Sequence, residues 1–131
     1  LGKQLLLISY ADPKWNKLDD FGGRIDEADD AVFDAIARET SEETNGVLTY
    51  DFIKGKLDEE GNRSFYNNHS KYYVVTIEVK KNFCLKTKIF GDFETADQIK
   101  RTVGWHTFES AKGNLALRLK NNNDLMKFLE E

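Results

Sequence analysis

The stretch "RETSEETNG", Arg38 to Gly46, places Glu39, Glu42 and Glu43 within five residues, and Arg38 is the only basic side chain among them. At about 100° per residue, a helix gathers these carboxylates within an arc of roughly 100°. Glu39 and Glu43 stand at i,i+4, a like-charge spacing that opposes helix formation by about 0.2–0.5 kcal/mol. Arg38 and Glu42 form the only favourable pair at that spacing. Two readings compete. One is a solvated charged face. The other is a set of oxygen ligands for a hard divalent cation such as Mg²⁺. On a rigid helix the repulsion among carboxylates becomes binding energy when such an ion arrives.

Outward from this stretch, a helix is predicted from about Ala31 to Thr44, with Val32, Ala35 and Ile36 as its apolar positions. Asp29 and Asp30 suit its N-cap or first turn. Asn45 and Gly46 end it, because both tolerate the left-handed conformation. Upstream, "ADPKWNKLDDFGGRIDEADD" (11–30) reads as a long loop with the Gly22-Gly23 pair, which permits tight turns and close approach to a ligand. Leu5–Ile8 reads as a strand buried on both faces. Val47–Leu57 is expected to be a strand, 58–62 a turn, and Tyr72–Val79 an alternating strand. A further strand is expected near Thr102–Phe108 and a helix over Asn122–Glu131. The order is mixed α/β.

The 131 residues suit one domain with one core, and no repeat or second domain is visible. No apolar run approaches the roughly 20 residues of a membrane helix, so no membrane partner is expected. Cys84 is the single cysteine, which excludes an internal disulfide and fits a reducing, cytoplasmic setting. It reads as a small core residue rather than a nucleophile. The net charge of −4 gives no global basic field for nucleic acid. A phosphate-bearing partner must then be held by local cations or by metal. The first residue is Leu1, so a preceding N-terminal element is expected to be missing.

The stretch from Gly23 to Val47 resembles the signature of the Nudix hydrolases, G-x5-E-x7-R-E-U-x-E-E-x-G-U, with U aliphatic. The matching positions are Gly23, Asp30, Arg38-Glu39, Glu42-Glu43 and Gly46-Val47. The chain departs from the signature in four ways. Asp30 replaces a glutamate while keeping the spacing to Arg38. The loop from Gly23 to Arg38 is one residue longer. Thr40 takes an aliphatic place, and Asn45 sits where glycine is expected.

The resemblance implies an α/β/α sandwich with a mixed sheet and a catalytic loop–helix. It implies hydrolysis of a diphosphate linkage, usually in a nucleoside diphosphate derivative, with Mg²⁺ as cofactor and Mn²⁺ as the alternative. On these residues, Glu42 and Glu43 would ligate the metal, with Glu39 beside them and the Gly23 carbonyl adding a ligand. Glu39 would orient or deprotonate a water. Arg38 would position a glutamate, and Asp30 would be the orienting carboxylate. Some members use a later-loop glutamate, for which Glu94 is the first candidate and Asp97 the second. A solvated loop acid is the alternative for either.

Arg24 and Tyr72 are candidates for substrate binding. Trp15, Phe21, Tyr50, Phe52, Phe65 and Tyr66 are other aromatics able to stack on a base, although aromatics are core residues by default. His69 and His106 lack metal-ligand spacing. A small-molecule diphosphate is the expected partner, and capped RNA ends stay open. A Nudix-fold sensor that binds without hydrolysis is the competing function.

Overall fold

A computed structural model describes residues 4–15, 17–21, 31–67, 72–80, 83 and 86–131. Its centre is β1 (Gln4–Tyr10), the apolar run of the sequence. Antiparallel pairing joins β1 to β6 (Ile99–Thr107) along its whole length, from Gln4↔Thr107 to Tyr10↔Arg101. On its other side lies the short β2 (Leu18–Asp19), and β5 (Phe93–Glu94) adds to the far edge of β6. The order is β2-β1-β6-β5. A separate antiparallel hairpin comprises β3 (Arg63–Asn67) and β4 (Tyr72–Thr76). Where a mixed sheet was expected, every ladder among the described strands is antiparallel, and the parallel element is an isolated bridge, Leu18↔Leu115.

Successive side chains of a strand point to opposite faces, so a central strand feeds two cores. Leu7 packs with Leu18, Phe65 and Val74 against Ala111, Leu115, Leu119 and Leu125. Those last four come from or between α3 (Phe108–Ala111), α4 (Leu117–Lys120) and α5 (Asn123–Glu130). Ile8 packs on the opposite face with Val103, Phe90, Ala37, Leu48, Ile53 and Leu57. This second core is covered by α1 (Val32–Glu43) and α2 (Tyr50–Leu57). Helices therefore lie on both sides of β1, which is why its apolar run shows no alternation. No described helix is long and apolar enough to cross a membrane.

The expected strand over Val47–Leu57 is instead the helix α2. Thr49 caps it by accepting a hydrogen bond from the Phe52 N–H at 3.1 Å, and Ile53 and Leu57, at i,i+4, are its buried positions. The cap and this spacing overrule the β-branched and aromatic content that suggested a strand. In α1, Val32 is exposed rather than core, and the small Ala35 and Ala37 are buried. Helix α1 has Ala31 as N-cap without a side-chain bond; Asp29 and Asp30 lie outside the described residues.

Candidate active site

Helix α1 ends as its sequence predicts. Asn45 has φ of 55° and Gly46 of 77°, and the Gly46 N–H donates to the Ser41 carbonyl at 2.7 Å. The stop fixes where the acidic face points. Glu42 is the most open of the three, its side chain 41% exposed, against 15% for Glu39. Glu43 is buried at 6%. This is not a uniformly solvated face, because two of its three carboxylates are largely withdrawn from water. Arg38 lies along it, 2.7 Å from Glu39 and 3.5 Å from Glu42. The burial of Glu39 raises its pKa, the bond from Arg38 lowers it, and Glu42 and Asp97 add repulsion.

Glu94 comes from β5 to meet this face. It is 1% exposed, and among the described residues its Oε1 has no hydrogen-bond partner. Burial pushes its pKa up to about 7, and the adjacent Asp97 carboxylate and Glu39 act in the same direction, against Arg101. Asp97 thus stands electrostatically between Glu39 and Glu94. Tyr10 lies close enough to Glu43 and Glu94 for both to raise its phenol pKa further, after burial. A shallow depression of about 480 Å³ opens beside these groups, lined by Ser41, Glu42, Asn45, Gly46, Thr95 and Ala96.

Two side chains hold the arrangement together. Arg101, 1% exposed, donates from Nε (3.1 Å) and Nη2 (2.8 Å) to the Glu43 carbonyl. It also donates from Nη2 to the Phe90 carbonyl at 2.9 Å and from Nη1 to the Gly91 carbonyl at 2.7 Å. The Asn45 amide nitrogen donates to Phe93 O at 2.8 Å and Phe90 O at 3.2 Å, and its oxygen accepts from Thr95 N–H at 2.9 Å. Neither role was anticipated. For Arg101 the signal was available: it shares the inward register of Val103, two residues on, where a charge needs partners.

Tyr72 sits in a different cluster. Its hydroxyl donates to Asp20 at 2.9 Å, and the Arg118 guanidinium lies 4.5 Å from its ring centroid. Arg118 also pairs with Asp19 at 2.8 Å and Asp20 at 3.7 Å. Of the other aromatics, Phe65 is core, Phe21 packs against the second core and Phe52 stacks on Phe83. The Tyr50 hydroxyl donates to Asp34, while Trp15 and Tyr66 are exposed. Gly23, Arg24, Asp30, His69 and Cys84 lie outside the described residues.

Among the described residues, no group of three or more His, Cys, Asp or Glu side chains is closed enough to hold an ion by itself. Carboxylates are nonetheless the donors a hard cation takes, and Mg²⁺ is commonly held by about one or two of them, with water and substrate phosphates completing its shell. The orphaned Glu94 Oε1 fits such a ligand. No protein-family model, curated protein or solved structure matches the chain.

Proposed function

We propose that the chain is a Mg²⁺-dependent hydrolase of diphosphate linkages, of the Nudix type, acting on a nucleoside diphosphate derivative or a related phosphoanhydride. The observation that carries this reading is the inward-turned acidic face of α1, with the buried, unpartnered carboxylate oxygen of Glu94 beside it. The helices on both sides of β1 suit the α/β/α sandwich of that family.

Glu42, the most open glutamate, and Glu94 would be the metal ligands, with Glu39 and Glu43 behind them. When bound, the metal would neutralise charge developing on the phosphates and lower the pKa of a water. Glu39 would offer an acceptor to that water, and its Arg38 partner fixes where the carboxylate stands. Arg101 and Asn45 hold the two acidic segments in register. Among the described residues, no lysine or arginine lines the depression beside Glu42, and the ion would meet phosphate charge there.

The test is a panel of diphosphate compounds incubated with Mg²⁺ or Mn²⁺, run beside Glu42→Gln. Metal-dependent release of a monophosphate, reduced by orders of magnitude in the variant, is the expected result. Tight binding of one compound with no turnover of any would replace the hydrolase with a sensor. Equal activity in the variant would remove Glu42 from the site.

A further inference from the structure

We infer that Asn45 is a positioning residue that presents Glu94 to the glutamates of α1. The inference rests on the metal-site reading given above. The Asn45 amide binds the main chain on both sides of Glu94, at the carbonyl of Phe93 and the N–H of Thr95, and reaches back to the carbonyl of Phe90. Strand β5 has only two residues and two register pairs with β6, a weak tether by itself. Glu94 is buried with Oε1 unpartnered among the described residues, and its attraction to Arg101 is opposed by that burial and by the Asp97 and Glu39 charges. Burying such a group is unfavourable, so the main chain around it must be held from elsewhere. Asn45 does this from the left-handed position that ends α1, at φ of 55°. A glycine would adopt that conformation with less strain, so the amide's contribution is the clamp and not the turn. Arg101 grips the same segment at Phe90 and Gly91, but its bonds stop short of Glu94. The residue that terminates the acidic helix thereby sets the position of the acid facing it.

The test uses Mn²⁺ alone as probe, with free and bound ion separated by electron paramagnetic resonance. It compares the wild type with Asn45→Gly, Asn45→Asp, Glu94→Gln and the Asn45→Gly/Glu94→Gln double variant. Amide hydrogen exchange at Thr95 is followed in parallel. Glycine keeps the backbone conformation while deleting the clamp. Asn45→Asp keeps the acceptor for Thr95 but loses both donations. Asn45→Gly and Glu94→Gln should each weaken Mn²⁺ binding about tenfold or more, the size of effect usual for groups that orient a metal ligand. The double variant should be no weaker than Glu94→Gln alone, because both changes act through one carboxylate. Thr95 exchange should accelerate in Asn45→Gly, and Asn45→Asp should fall between it and the wild type in affinity. Undiminished affinity in Asn45→Gly beside a weakened Glu94→Gln overturns the positioning role and leaves the metal site standing. Additive losses, or unchanged Thr95 exchange, overturn the role as well. A wild type that binds no Mn²⁺, or a Glu94→Gln that binds as well as wild type, removes the metal site and the role with it.

Discussion

Arg101 shows how much of this molecule depends on single buried polar groups. Its guanidinium is surrounded by main-chain carbonyls, and its four donations satisfy Glu43, Phe90 and Gly91. Burial lowers its pKa, while Glu94, Tyr10 and Glu43 hold the charge in place. A planar fork with several donors fits this set, and a lysine's single ammonium does not. Arg101→Met would retain most of the stem's packing but take their Arg101 donors from the buried Glu43 carbonyl and the part-buried Gly91 carbonyl, leaving Phe90 with Asn45 alone. At about 1–3 kcal/mol for a buried group left unsatisfied, the loss should be about 2–3 kcal/mol. Arg118→Met offers the contrast, because Arg118 is 41% exposed where it pairs with Asp19. An ion pair of that kind is worth about 0–1 kcal/mol. Urea unfolding of the two variants should therefore show a much larger drop in midpoint for Arg101, with the slope unchanged. Similar drops would mean that the carbonyls find other donors.

At the scale of elements, α2 depends on its first turn. Thr49→Ala removes the acceptor of the Phe52 N–H and should cost about 1 kcal/mol in thermal unfolding, whereas Thr49→Ser should cost much less. A neutral Thr49→Ala would show that packing of Ile53 and Leu57 alone holds the helix. The same segment marks the limit of what the chain discloses locally. Helix α1 was legible because its end is written in Asn45-Gly46, both at positive φ. Strands β1 and β6 and helix α5 were legible from their apolar pattern, although β6 starts earlier than expected, at Ile99. Val47–Leu57 mixes β-branched, aromatic and charged residues without a clear period, so one cap decides it. The hairpin strand β3 was missed because only Phe65 in it is buried. The spacing of the glutamates could be read directly, but their graded burial could not. The clamps could not be read either, since Arg101 meets Glu43 across 58 residues and Asn45 meets Phe90 across 45.

Across the whole molecule, two carboxyl groups are held far above the usual carboxylate range. Burial pushes Asp20 up to about 8, with the neighbouring Asp19 adding to it and Arg118 and Tyr72 working against it. Burial likewise pushes Glu94 up to about 7. Unfolded, both groups would lose their protons near pH 4, so between pH 4 and about 8 the folded chain holds more protons than the unfolded one. Stability from these groups is therefore complete below pH 4 and is lost as pH rises through about 7 for Glu94 and about 8 for Asp20. Urea midpoints measured in chelator should fall from about pH 5 to about pH 8.5. Glu94→Gln should make that fall shallower up to about pH 7, and Asp20→Asn should make it shallower throughout and end it near pH 7. Metal binding requires ionised ligands, so Mn²⁺ should restore stability mainly at the alkaline end, and only where Glu94 is intact. A midpoint that rises with pH in chelator would show that neither carboxyl keeps its proton in the folded protein. Restoration by Mn²⁺ that is undiminished in Glu94→Gln would place the ion elsewhere on the acidic face.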